Sequence, residues 1–83
     1  MNNKILVVVY VPLLEEEYTV FIPANKKIGT VKNNIIDSVI ELSEGNFKKD
    51  NNLLYDAGRS LVFDNNIYVK DSTITNGTKL ILL

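Results

Sequence analysis

The sequence predicts an α+β fold in a single domain, residues 1–83, with a mixed sheet of four to five strands crossed by one helix. Three observations lead there. Residues 4–11 are β-branched and almost wholly apolar, the composition of a strand buried on both faces. One stretch, about 28–43, carries apolar residues at helical spacing. The rest consists of short apolar runs cut by turn residues, closing on a second apolar run, 78–83.

Each element has its own warrant. Pro12 cannot donate to a ladder and ends the first strand, so 12–16 form a turn. Residues 17–22 alternate, with Tyr18, Val20 and Ile22 on one face and Glu17, Thr19 and Phe21 on the other. That is a half-buried strand pairing back on the first, and Pro23 closes it. In the helix, Ile28, Val31, Ile35, Val39 and Leu42 form a stripe that Ile36 and Ile40 widen. Thr30, Asn33, Asn34, Asp37 and Glu41 fill the opposite face. Asn25 is the expected N-cap and Gly45 the expected C-terminal stop. Leu53-Leu54-Tyr55 reads as a strand ended by Asp56-Ala57-Gly58, and residues 59–62 as a brief strand or bend. Asp64-Asn65-Asn66 and Asn76-Gly77 are turns, and the last strand runs over 78–83. A hairpin, a helix and a return strand make the β-grasp arrangement, with 4–11 and 78–83 side by side at its centre.

Composition removes several function classes. Nine basic and ten acidic residues give a net charge of −1, and the pairs Lys26-Lys27 and Lys48-Lys49 stand apart. No basic stripe exists for a nucleic acid to follow. Residues 5–14 loosely resemble the apolar core of a signal peptide, but Glu15-Glu16-Glu17 follows where small cleavage-site residues belong. The run is too short to span a bilayer. With neither His nor Cys, the common general base, the thiol nucleophile and disulfides are missing, which points to a non-enzyme and suits a reducing compartment. Asp50-Asn51-Asn52 and Asp64-Asn65-Asn66 lack the ligand spacing, central Gly and terminal Glu of a calcium loop. Gly29, Gly45, Gly58 and Gly77 are too far apart for a phosphate cradle. No cofactor or metal is expected.

At this point the residues carry a likeness. Ile28-Gly29-Thr30-Val31-Lys32-Asn33-Asn34-Ile35 resembles the ubiquitin helix in its spacing of Ile, Val-Lys and Ile. Leu53-Leu54-Tyr55-Asp56-Ala57-Gly58-Arg59-Ser60-Leu61 resembles the ubiquitin segment leucine–isoleucine–phenylalanine–alanine–glycine–lysine with one residue inserted. Ile74, with Leu80 six residues on, matches the spacing into ubiquitin's last strand. The nearest resemblance is to bacterial ubiquitin-like proteins of the YukD/EsaB type, encoded with type VII (Esx, WXG-protein) secretion systems. Asp71-Ser72-Thr73-Ile74-Thr75-Asn76-Gly77-Thr78-Lys79-Leu80-Ile81-Leu82 resembles that family's ending. The turn Val11-Pro12-Leu13-Leu14-Glu15 departs from the family's N-terminal hairpin.

The resemblance implies sites. Leu54, Ile81 and Leu83, with Arg59 beside them, are expected on the sheet face that the helix leaves open, as a surface for another protein. Lys32 matches a sheltered, paired lysine of ubiquitin and is expected to snorkel or pair. Ile36 and Ile40 are expected under the 45–52 loop. Conjugated relatives need a flexible Gly-Gly tail, and no glycine follows Gly77. If Leu83 is the natural end, conjugation and sulfur-carrier chemistry are excluded. The expectation is therefore a cytoplasmic, non-conjugated binding module of a type VII-like system. The alternatives are a homodimer joined by Leu54, Ile81 and Leu83 across a two-fold axis, or a modifier or sulfur carrier lacking its tail.

Overall fold

The computed structural model describes residues 3–83. Eight consecutive residues of alternating exposure make β1 (Lys4–Val11) and eight more make β2 (Glu16–Pro23), paired antiparallel without a slip from Lys4 opposite Pro23 to Val11 opposite Glu16. The turn between them puts Glu15 at a φ of +53°. Next come α1 (Ile28–Leu42), β3 (Leu54–Asp56), β4 (Leu61–Val62), a single 3-10 turn (Val69–Asp71) and β5 (Lys79–Leu82). The sheet order is β2-β1-β5-β3-β4. β1 and β5 run parallel at the centre, and every other pair is antiparallel. The two apolar runs at either end of the sequence therefore lie side by side, as their composition predicted.

The hydrophobic pattern decides which way each strand faces. Val7, Val9 and Val11 of β1, Ile22 of β2, Leu54 of β3, and Leu80 and Leu82 of β5 turn inward. They share one buried cluster with Ile28, Val31, Ile35, Ile36 and Val39 of α1. Phe47 joins the cluster from the loop after the helix, while Ile40 packs against its margin. Leu6, Val8 and Tyr10 take the other face of β1 and are only half-buried, so this strand is not sealed on both sides as the sequence implied. One helix covers one face of the sheet.

The helix ends differ from expectation. Lys27, not Asn25, is the N-cap, and it makes no side-chain capping bond. Backbone from a distant turn does that work: the N–H groups of Ile28 and Gly29 donate to the carbonyls of Ile67 (2.9 Å) and Asn65 (3.0 Å). Donors that would otherwise be orphaned are satisfied from outside the helix. The turn comes so close that a Cβ on Gly29 would sit 3.0 Å from the Asn65 Cβ, which is the physical reason for glycine there. At the other end, Gly45 N–H donates to Ile40 O (2.8 Å) and Glu44 N–H to Glu41 O (3.1 Å). This pair of bonds is a Schellman motif. Glu44 fills its left-handed position at φ +55°, and Gly45 follows at +82°.

Candidate protein-interaction surface

The ladder register lines up one residue from each strand on the open face. Glu17 of β2 lies opposite Tyr10 of β1, Tyr10 opposite Ile81 of β5, Ile81 opposite Tyr55 of β3, and Tyr55 opposite Val62 of β4. Four of these five are apolar or aromatic, so a stripe of Tyr10, Ile81, Tyr55 and Val62 crosses the sheet. Leu53 and Leu83 extend it at one end. Their N–H and C=O groups exchange two hydrogen bonds, at 2.9 and 3.2 Å, which continues the β3–β5 pairing past Leu82. Both side chains are exposed, Leu53 at 43% and Leu83 at 48%. At the other end Lys79 bridges strands, with Nζ 2.6 Å from Glu17 Oε2 and 5.7 Å from the centre of the Tyr10 ring. The result is an apolar stripe with a charged margin.

The expected surface residues divide. Ile81 and Leu83 lie on the open face. Leu54 does not: it is 2% exposed and belongs to the core. Its ladder partner is Leu82, which is buried toward the helix, whereas Tyr55 pairs with Ile81. A shift of one residue along a strand moves a side chain to the opposite face, and the pairing of Tyr55, not Leu54, with Ile81 is such a shift from the expected register. Tyr55 therefore takes the surface position assigned to Leu54, and a two-fold contact through Leu54 is ruled out with it. Arg59 is exposed but stands at the other end of β3 from Leu83. Its Nε is 3.9 Å from Asp56 Oδ2, in a cleft with Thr73, Thr75, Thr78 and Lys79. The stripe through Tyr10 and Tyr55 escaped the sequence reading because nothing in an unbroken apolar strand says which half faces out.

Lys32 is half-buried on α1, and its Nζ donates to the carbonyl of Asn52 at 3.3 Å. Asn52 is a junction. Its Oδ1 accepts from Asp50 N–H (2.8 Å), and its Nδ2 donates to Leu83 O (3.1 Å). The helix lysine and the end of the apolar stripe are thus tied through one asparagine. The loop Asp64-Asn65-Asn66 is a turn in which Asp64 Oδ1 accepts from Asn66 N–H (2.9 Å). Among the described residues, no group of three or more His, Cys, Asp or Glu is placed to hold a metal. Among them too, no helix is long and apolar enough to cross a membrane.

A β-hairpin, one helix laid across the sheet, and a last strand parallel to the first make the ubiquitin-like β-grasp fold. No protein-family model matches the sequence, and no curated protein matches it. Solved structures do match in shape. The EccD5 ubiquitin-like domain from Mycobacterium xenopi superposes with a TM-score of 0.80 at 11% identity, covering 99% of this chain and 94% of that one. The ubiquitin-like domain of the Mycobacterium tuberculosis type VII secretion system protein EccD1 superposes at 0.73 and 16% identity, covering 100% and 99%. A chain of a toluene 4-monooxygenase complex reaches 0.75 at 7% identity, covering 95% of each. At such identities the likeness is one of fold, and this fold serves more than one kind of assembly.

Proposed function

We propose that this chain is a non-catalytic, non-conjugated ubiquitin-like module that binds another protein through the open face of its sheet. In this reading it is a cytoplasmic accessory or regulatory component of a type VII (Esx/WXG)-like secretion system. The observation that carries the binding role is the stripe Tyr10–Ile81–Tyr55–Val62, extended by Leu53 and Leu83. Contiguous exposed apolar surface marks interaction sites. Tyrosines ringed by polar groups are characteristic of the residues that dominate binding energy. Lys79 and Glu17 form such a rim here. The non-catalytic reading rests on a sequence without His or Cys. The secretion role is supported by the fold likeness to EccD ubiquitin-like domains and by the resemblance of Ile74-Thr75-Asn76-Gly77 and the strand after it to the YukD/EsaB ending.

The experiment is a deletion strain complemented by variants, with export of small helical substrates as the readout. Deletion is expected to change export, the native chain to restore it, and a folded Ile81→Asp protein to fail. Export unchanged by deletion would sink the secretion role. Restoration by Ile81→Asp would remove the stripe from it. The intact mass of the protein from its own cells tests the non-conjugated reading, and an adduct on the carboxyl end would overturn it.

A further inference from the structure

The two edges of the sheet are built differently. β4 offers an incoming strand two residues. β2 offers eight, is bordered among the described residues by a strand on one side only, and pairs with β1 residue for residue, without a bulge. Its charges, Glu16 and Glu17, and its one proline, Pro23, stand at its two ends and leave Tyr18–Ile22 unblunted. Long edges are normally blunted by charge, proline or a bulge, because unpaired backbone groups template further pairing. β2 keeps its edge straight. Phe21 stands 65% exposed beside it. Between β2 and α1 runs a shallow groove of about 100 Å³, lined by Val20, Ile22, Pro23, Val31 and Ile35 among others, able to receive an aliphatic side chain from an added strand.

Charge selects the occupant. Glu15 precedes β2, Glu16 and Glu17 open it, and Lys26 and Lys27 follow it, all exposed. Glu17 is engaged with Lys79, which leaves Glu15 and Glu16 as the acidic end. A strand of this polarity matches itself when reversed. We propose that β2 pairs antiparallel with β2 of a second copy of this chain, about a two-fold axis at Val20, to form one continuous sheet. Side chains alternate along a strand, so both helices lie on the same side only if facing residues share parity. Centring on Val20 meets that condition. Tyr18 then faces the partner's Ile22 on the helix side, and Thr19 faces the partner's Phe21 on the open side. Glu16 lies within side-chain reach of the partner's Lys26. The Tyr10–Ile81–Tyr55 stripe stays free, so the dimer would present two copies of it.

An eight-residue strand pair is a small interface, so association is expected in the high-micromolar range. Sedimentation equilibrium from about 10 µM to about 1 mM brackets that range. The apparent mass is expected to rise from 9.4 kDa toward twice that, with weaker association at high salt. Glu16→Lys and Lys26→Glu, each striking two symmetric pairs, should each weaken the dimer about threefold or more, and the double exchange should restore it. The chain has no cysteine, so Val20→Cys gives a second readout. Across the axis it should oxidise to a covalent dimer faster than Asn33→Cys on the exposed helix face. A monomer at every concentration overturns the proposal. A dimer indifferent to the charge exchange, with Val20→Cys linking no faster than Asn33→Cys, does the same.

Discussion

Asp56 closes β3 with a carboxylate that is only 5% exposed. Its Oδ1 accepts from Gly58 N–H at 3.0 Å and its Oδ2 from Thr73 Oγ at 2.8 Å. The Arg59 guanidinium is nearby but two-thirds exposed, so its contribution is small. Asp56→Ala removes the acceptor of the Gly58 N–H and of the half-buried Thr73 hydroxyl, and a stranded group costs about 1–3 kcal/mol. The expected loss is about 2–3 kcal/mol, read as a lower urea midpoint, with Asp56→Asn recovering part of it. The sequence showed Asp56 as a turn residue, because Asp-Ala-Gly is a local signal. Its burial was hidden because Thr73 is 17 residues away. The same divide explains Lys32. Its place in an apolar arc is visible on a helical wheel, but its acceptor, Asn52 O, belongs to a loop whose path only the fold determines.

At the scale of the element, α1 was legible in its interior and misread at its start. Periodicity fixes the buried stripe, since Ile28, Val31, Ile35, Ile36 and Val39 are all in the core. The start depends on the 65–67 backbone, more than thirty residues downstream, so no nearby residue type could announce it. The C-terminal end was half-read. Gly45 is in the terminating motif, yet Glu44 occupies the position where a Cβ is disfavoured. Replacing Glu44 with Gly should stabilise the protein by about 0.5–1 kcal/mol. In a domain of this size that corresponds to a melting temperature higher by about 2–8 °C, which thermal denaturation followed by circular dichroism will check. β2 was legible because strict alternation has one reading. β3 was not: Leu53-Leu54-Tyr55 is apolar throughout, and only pairing with Leu82 shows which leucine points inward.

For the molecule as a whole, the two faces of the sheet make opposite demands on one substitution. Leu54→Asp places a charge in the core and is expected to abolish cooperative unfolding. Ile81→Asp, one strand over on the open face, should keep a cooperative transition with stability lowered by no more than about 1–2 kcal/mol. Chemical denaturation of the two proteins side by side distinguishes the faces directly. Equal loss in both would mean that the stripe is structural. The central pairing of the first and last strands followed from the apolar character of those two runs. The stripe did not, because it is assembled from one residue of each of four strands.

The parallel pairing of β1 with β5 also bears on how the chain is made. Val8, Val9 and Tyr10 meet Lys79, Leu80 and Ile81 about seventy positions later. A ribosome releases the first strand long before the strand that completes its ladder. Until then Val7, Val9 and Val11 have only the hairpin and the helix to shelter them. Closure over such a span is slow compared with local helix formation. β3 and β4 reach β1 and β2 only through β5, so the sheet cannot close before the chain has been made through Leu82.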